Sequence, residues 1–283
     1  MLLKWPQAVR HGVPLDGKDD ARVIRVSIDN SNVVLKRYPP ARPTSRRLLR
    51  KLAALWRGDV PVEDLPAQQR RDFERLALLT WTRYGFRVPD PLTLDIQDTA
   101  PWPLLAMGWV EGPTLQASLR AADTLDEPRR ILEKVLRDTA HRHAVAIGVC
   151  EPRLIHFDAN TGNIILRGDE IVHLDFEMGR LYLPVALSAG IELAKFLCCA
   201  AGDLGPGSLD LVARLAVDAY EAVPDIVRDI PRRALQRPAQ FLHNMRNSRR
   251  RRTRPGQVTL IDMAQALNAA LSRKYVDTSL ARP

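Results

Sequence analysis

Two aspartates and an asparagine stand out in the middle of the chain, because each borders an apolar run and could place an oxygen atom in a shared cleft. Asp158 and Asn163 lie five residues apart, across a polar turn that contains Gly162. Asp175 comes twelve residues after Asn163, behind a second apolar run. Short strands with polar residues at their ends are predicted on both sides of the turn. The spacing therefore predicts that two carboxylates and one amide oxygen converge.

Carboxylate and amide oxygens are the ligands that suit Mg²⁺. This ion takes a few protein oxygens and completes its shell with water or with the phosphate oxygens of a bound nucleotide. The oxygen cluster thus predicts a magnesium site, with a phosphorylated ligand as its natural partner.

The first third of the chain predicts a sheet with one prominent helix. Residues 22–28 alternate in polarity and residues 33–38 are rich in β-branched side chains, which together predict a hairpin. Two further strands are predicted over residues 92–96 and 103–110. A helix is predicted over residues 67–84, because its apolar residues recur at helical spacing. The predicted apolar face of this helix comprises Phe73, Leu76, Ala77, Thr80, Trp81 and Tyr84.

The rest of the chain is mostly helical in pattern. Predicted helices cover residues 114–121, 127–147, 187–203, 208–223, 225–246 and 258–273, and a basic helix is predicted over residues 44–56 in the first third. We therefore expect an α+β chain of two lobes. Residues 1–108 form a β-rich N-lobe, residues 109–113 the joint, and residues 114–283 a helical C-lobe.

The polar stretch resembles the protein-kinase-like superfamily. His156-x-Asp158-x-x-x-x-Asn163 matches the catalytic loop of that superfamily, and Asp175 begins a segment that stands where the D-F-G motif is expected. The resemblance implies that Asp158 orients an acceptor hydroxyl and takes its proton. It also implies that Asn163 and Asp175 hold Mg²⁺ between the phosphates of ATP. His156 is expected to pack and to hold the loop.

The N-terminal part resembles the same superfamily, in the same order along the chain. Lys36 ends an apolar run similar to the strand that carries the nucleotide lysine, and Glu74 matches the helix glutamate that pairs with it. Lys36 would contact the α and β phosphates. Residues 107–112 are similar to the hinge, whose backbone would bind the adenine edge. The implied hinge residues are Trp109, Val110 and Glu111. The resemblance covers about residues 17–200 and implies the two-lobed protein-kinase-like fold.

Three departures from the kinase pattern affect what the protein could do. Only Gly17 is available for a glycine-rich phosphate loop. Glu177 replaces the glycine of D-F-G, and it is expected either to bind a second metal ion or to pair with Arg180. The segment between Phe176 and the next predicted helix is short, with no A-P-E element, so a long peptide-docking loop is missing. The acceptor is therefore expected to be a small molecule, sugar or glycolipid.

The short segment is typical of small bacterial kinases. The resemblance is to lipopolysaccharide-core (Kdo) kinases or aminoglycoside phosphotransferases, and less to the RIO-like kinases. The function implied is ATP- and Mg²⁺-dependent transfer of the γ-phosphoryl group to a hydroxyl. Two alternatives stay open: an atypical Ser/Thr protein kinase, and a nucleotide-binding pseudokinase that acts as a scaffold on RNA or membrane.

Composition and charge limit the possible partners and location. The 283 residues are 46% hydrophobic and 27% charged, with a net charge of +9, which predicts a globular protein drawn to an anionic partner. The excess is concentrated at residues 246–254, where Arg249, Arg250, Arg251 and Arg252 could face solvent, an anionic membrane surface or RNA. No long uninterrupted apolar run is present, so no transmembrane helix is expected. We expect a cytoplasmic protein that could lie at the inner membrane surface, with three free, buried cysteines.

Overall fold

A computed structural model describes residues 3–4, 12–15, 22–28, 30–40, 65–93, 96–97, 102–177, 183–236 and 258–280. The described strands are β1 (Leu3–Lys4), β2 (Val13–Pro14), β3 (Val23–Ile28), β4 (Ser31–Arg37), β5 (Pro91–Leu92), β6 (Ile96–Gln97), β7 (Leu104–Gly108), β8 (Ile164–Arg167) and β9 (Glu170–His173). The described helices are α1 (Ala67–Arg83), α2 (Leu115–Ala121), α3 (Asp126–Gly148), α4 (Val185–Leu204), α5 (Leu209–Ala219), α6 (Pro224–Ala234) and α7 (Leu260–Leu280). The protein is α+β, with an antiparallel sheet in its N-terminal part and mostly helices after it.

The N-terminal sheet has the strand order β2-β3-β4-β7-β5, and every pair in it is antiparallel. The predicted hairpin is confirmed as β3 and β4, whose pairing runs to Ile28 opposite Ser31. Asn30 lies in the turn with a φ of 62°. Asparagine tolerates this left-handed conformation better than most residues, because its short polar side chain can hydrogen-bond locally.

Strand β4 divides its side chains between two packing layers. Val33 and Leu35 pack in a small cluster on one face of the sheet. Val34 and Tyr38 belong instead to the large core that includes α1. Because side chains alternate across a strand, Lys36 shares the face of Val34 and Tyr38. The strand therefore directs Lys36 toward α1.

The helix predicted over residues 67–84 is confirmed as α1, but its buried face is rotated from the predicted one. Phe73, Ala77 and Trp81 are buried as expected. Leu76 was expected to be buried and is 47% exposed, whereas Leu78 is buried. The prediction of Leu76 as a core residue is wrong because the helix also turns a buried glutamate toward the sheet, which shifts the face by one position.

The single strand predicted over residues 92–96 is wrong. Two short strands occupy this region: β5 pairs with β7, and β6 pairs in parallel with β1. Thr93, directly after β5, is not part of a strand, and residues 94–95 lie outside the described residues.

The described helices pack around one core. This core extends from Val34 in the sheet through Leu136 in α3 to Leu267 in α7. The predicted helix over residues 208–223 ends earlier, at Ala219, and Pro224 begins the next helix, as proline often does. The predicted helix over residues 225–246 is described only to Ala234. The basic helix predicted over residues 44–56 lies outside the described residues.

Helix α4 is long and apolar enough to cross a membrane by length and composition alone. Its 18-residue window has a mean hydropathy of 1.5, and 44% of that window is buried inside the protein. The sequence predicted no membrane-spanning helix, because Glu192 and Lys195 interrupt the apolar run. The apolar side of α4 packs in the common core, with Leu193 and Phe196 among its buried residues.

The three cysteines are free thiols. Cys198 and Cys199 lie half-buried on α4, but Cys150 is exposed, so the expectation that all three are buried is wrong. Cys150 follows the end of α3 with a φ of 53°, and its exposed thiol lies 3.7 Å from the Ile147 carbonyl.

Candidate functional site

A buried ion pair links the sheet to α1. The ammonium of Lys36 lies 2.8 Å and 3.1 Å from the two carboxylate oxygens of Glu74. The hydroxyl of Tyr38 donates to the same carboxylate at 2.6 Å, and the backbone N–H of Phe176 donates at 3.3 Å. Glu74 is 1% exposed. The structure thus brings the predicted lysine and glutamate into contact.

Two further carboxylates face the same ammonium. Lys36 Nζ lies 2.5 Å from Asp175 Oδ1 and 3.9 Å from Glu177 Oε2. Burial alone would lower the pKa of Lys36, but the three carboxylates outweigh burial and raise it well above its ordinary value. Partial burial would raise the pKa of Asp175, yet the Lys36 ammonium lowers it. Lys36 is therefore held as a cation and Asp175 as an anion.

Glu74, Asp175 and Glu177 together could hold a metal ion. Their nearest oxygens lie within 4.8 Å of one another. The Lys36 ammonium already contacts all three carboxylates, so it supplies the positive charge that this group requires. Burial raises the pKa of Glu74 despite Lys36, because its carboxylate is wholly buried and Asp175 faces the same ammonium.

Glu177 also contacts a residue of α1 that the sequence did not suggest as its partner. Its carboxylate lies 3.5 Å from Arg70 on α1, in addition to its approach to Lys36. Arg70 also donates to the carbonyl of Pro39, just beyond β4. Arg180, the expected partner of Glu177, lies outside the described residues.

The turn after Asp158 is built by its two asparagines. Asn160 accepts a hydrogen bond from Gly162 N–H at 2.9 Å and donates to the Asp158 carbonyl at 3.0 Å. The side-chain amide of Asn163 also donates to that carbonyl at 3.0 Å, and it lies 3.5 Å from Asp158 Oδ2. Side-chain caps of this kind are the usual way in which asparagine fixes a tight turn. The turn therefore holds Asp158 and Asn163 together.

The β8–β9 hairpin carries Asn163 to Asp175. Ile164 pairs with His173, and the N–H of Leu174 donates to the Asn163 carbonyl at 2.8 Å. Leu174 therefore lies opposite Asn163, and Asp175 directly follows Leu174. Its φ of 64° is unusual for a residue other than glycine, and such backbone conformations cluster at functional sites.

His156 lies beneath the turn and is 2% exposed. Burial lowers its pKa to about 4, so the ring is neutral at pH 7. Its Nε2 donates to the Leu174 carbonyl at 2.7 Å, which connects the turn to the segment that carries Asp175. These contacts are those of a residue that packs and holds the loop.

Sequence reasoning missed the buried carboxylate that supports this loop. Glu192 on α4 accepts from the backbone N–H of His156 at 2.7 Å and contacts the ring of His143 at 3.0 Å. It also pairs with Arg142, which donates to the Leu154 carbonyl. Burial would raise the pKa of Glu192, but Arg142 and His143 hold it far below the ordinary range. An acid in the middle of an apolar helix was the only sequence signal.

Two more polar groups near Asp158 were also missed. The ammonium of Lys195, one helical turn after Glu192, contacts Asp158 Oδ1. Asp203, at the end of α4, accepts from Thr161 and pairs with Arg120 at 2.8 Å. These contacts join residues that are distant in sequence, and no local pattern predicts them.

The predicted hinge follows β7 directly. The N–H of Trp109 donates to the Asn32 carbonyl at 3.1 Å, so this group is already paired with the sheet. The indole of Trp109 donates to Glu111 at 2.5 Å, and Val110 packs against Ile165. Gly17, Arg249, Arg250, Arg251 and Arg252 lie outside the described residues.

No protein-family model matches the chain, and no curated protein matches it.

Proposed function

We propose that the protein is a phosphotransferase that uses ATP and Mg²⁺ and phosphorylates a hydroxyl group. The observation that carries this proposal is the Lys36 ammonium, held by Glu74 and Asp175 beside the turn that presents Asp158 and Asn163. This set provides one buried cation for phosphate oxygens, oxygen ligands for a divalent ion and a carboxylate for a proton. Phosphoryl transfer requires positioning and charge neutralisation more than covalent chemistry.

The reaction assigns a separate task to each residue. The acceptor oxygen forms a bond to the γ-phosphorus, and the bond from that phosphorus to the β–γ bridging oxygen breaks, so ADP leaves with the bridging oxygen. The hydroxyl proton passes to the Asp158 carboxylate, whose side chain is 29% exposed and thus within reach of an acceptor. Lys36 neutralises phosphate charge, and Glu74 keeps its ammonium in place.

The oxygen donors present fit Mg²⁺. The amide nitrogen of Asn163 is used by Asp158, which leaves its carbonyl oxygen as the end that could bind a cation. Asp175 offers a carboxylate whose side chain is 36% exposed. When bound at Asn163 and Asp175, Mg²⁺ would neutralise charge on the phosphates. Glu177 is already paired with Arg70 and is the weaker candidate ligand.

The acceptor class follows from the segment after Asp175. Helix α4 begins at Val185, so only residues 177–184 separate Phe176 from it. A segment of this length cannot form an extended surface for a peptide. We therefore propose a small-molecule, sugar or glycolipid acceptor and disfavour an atypical protein kinase.

The test is transfer of label from γ-labelled ATP, with Mg²⁺, to water, to the protein itself and to a panel of sugars and glycolipids. Asp158→Asn and Asp175→Asn should each reduce transfer at least about 100-fold, because each removes a group that acts on the reacting atoms. Asp169→Asn is the matched control, since Asp169 lies fully exposed in the β8–β9 turn.

Each result has a distinct meaning. Equal transfer by the wild type and the Asp158 and Asp175 variants would contradict the assignment of the site. ATP binding by the wild type without any transfer would favour the pseudokinase scaffold instead. No ATP binding at all would overturn both.

A further inference from the structure

Helix α4 sends two charged residues to the same loop, and their surroundings differ. Glu192 is 2% exposed and binds backbone, as a structural support would. Lys195, one helical turn later, has a side chain that is 39% exposed and contacts the carboxylate of Asp158. Glu192 is enclosed by protein, whereas Lys195 is partly exposed to solvent.

Lys195 is less firmly held than Lys36. Lys36 has three carboxylates around it and is buried, so it cannot leave without breaking the core. The pair of Lys195 with Asp158 is part-exposed, and such pairs contribute little to stability. The Lys195 ammonium can therefore exchange Asp158 for another anion at small cost.

The other polar groups around Asp158 have tasks already. Both ends of the Asn160 side chain are used within the turn. Arg120 pairs with Asp203, and Asp203 also binds Thr161. Among the residues that the structure describes, Lys195 is the cation in direct contact with Asp158.

We infer that Lys195 is a catalytic residue of the phosphotransfer proposed above, and this inference rests on that function. When the acceptor hydroxyl is hydrogen-bonded to Asp158, the phosphoryl group in transit is bonded to the acceptor oxygen. The phosphoryl group therefore lies one atom further from the Asp158 carboxylate than that oxygen does. The Lys195 ammonium, already on that carboxylate, then donates a hydrogen bond to an oxygen of the transferring group. The Lys195 ammonium neither gains nor loses a proton in this step, and the proton of the acceptor hydroxyl still passes to Asp158. Such a cation stabilises the charge that gathers on the group in transit.

The experiment compares the affinity for MgADP with and without fluoroaluminate, a planar mimic of the phosphoryl group in transit. Wild-type protein should bind MgADP more tightly when fluoroaluminate is present. Lys195→Met should bind MgADP as the wild type does and lose about 100-fold of the gain that fluoroaluminate gives. Lys195→Arg should keep part of that gain, since it retains a positive donor.

Lys134→Met is the control for the loss of a lysine. It breaks the exposed ion pair between Lys134 and Asp169, which includes none of the residues of the candidate site. Both methionine variants should keep the wild-type urea midpoint, which separates a catalytic effect from misfolding.

Three outcomes decide between the possibilities. Loss of the fluoroaluminate gain in Lys195→Met alone supports the inference. A full gain in Lys195→Met, or no gain in wild type that binds MgADP, overturns the role of Lys195 and leaves nucleotide binding standing. Failure of the wild type to bind MgADP overturns the proposed function, and the role of Lys195 with it.

Discussion

Glu192 shows how much of the site depends on one side chain that never meets a ligand. Its carboxylate receives Arg142, the ring of His143 and the N–H of His156. The ring of His143 in turn contacts the Tyr220 hydroxyl at 2.9 Å. A network of this kind fixes the backbone of the loop that presents Asp158, because its buried charged and polar groups bind one another.

Glu192→Gln should lower the free energy of unfolding by about 3 kcal/mol, since it leaves the buried Arg142 guanidinium without a counter-charge. Urea unfolding at pH 7 measures this change. Glu133→Gln removes an exposed pair with Arg137 and should cost less than about 0.5 kcal/mol. Equal midpoints for the two variants would show that Glu192 is not the support of the loop.

At the scale of residues, the sequence predicted those side chains whose order along the chain carries information. Lys36 and Glu74 were expected to pair, and they do lie in contact. Lys195 and Glu192 lie outside the motifs recognised in the sequence, so nothing in the chain indicated their contacts to Asp158 and His156, 37 and 36 residues away. Only the packing of α4 against the loop reveals those contacts.

At the scale of elements, hydrophobic periodicity placed α1 but misjudged its rotation. The pattern placed Leu76 on the apolar face and left Glu74 out of it, whereas Glu74 is buried and Leu76 is exposed. Hydrophobic periodicity considers only the apolar residues of the helix itself. It contains no information about the buried Lys36 on the strand that packs against α1. The divided strands β5 and β6 escaped prediction for a similar reason, since pairing partners lie far away in the chain.

The joint between β7 and α2 depends on a glycine. Gly112 has a φ of 141°, and a Cβ at this position would lie 2.3 Å from the backbone oxygen of Leu166. Gly112 therefore allows residues 109–113 to lie against β8, where Leu166 N–H donates to the Pro113 carbonyl at 2.9 Å.

Gly112→Ala should destabilise the protein by more than about 2 kcal/mol, because backbone cannot move aside as a side chain can. Gly168→Ala is the control: Gly168 also has a positive φ, of 57°, but has open space around it. It should cost only about 1 kcal/mol. Thermal or urea unfolding of both variants distinguishes a clash from backbone strain, and similar losses would argue against close packing of the joint on β8.

At the scale of the whole molecule, three buried histidines among the described residues make the stability sensitive to acid. Burial lowers the pKa of His143, His156 and His173, to about 4 in the case of His156. An unfolded histidine titrates near 6.5. Below that pH the three histidines bind protons in the unfolded chain but not in the folded protein, so the free energy of unfolding decreases.

Lowering the pH from about 7.5 to about 5.5 should therefore reduce the free energy of unfolding by about 1.4 kcal/mol through His156 alone. The measurement is the urea midpoint across this range. His156→Gln should show a shallower dependence on pH, by about one proton. A slope identical to that of the wild type would mean that His156 is charged in the folded protein.

Helix α1 is attached to its surroundings at both ends. Near its start, Arg70 binds the Pro39 carbonyl and Glu177. Near its end, the indole of Trp81 donates to the Arg153 carbonyl at 2.8 Å, and its ring packs 4.8 Å from Phe176 and 4.3 Å from the Arg142 guanidinium. The sheet, the helix and the helical region thus share one core.

The consequence of this double attachment is preorganisation. Glu74 is carried by a helix that cannot swing away, so the electrostatic surroundings of Lys36 are assembled when the chain folds and not when an anion arrives. The entropic cost of orienting those dipoles and charges is incurred during folding. Binding of an anion then requires little further reorientation of them. A protein built in this way needs no separate activating event to form its buried ion pair.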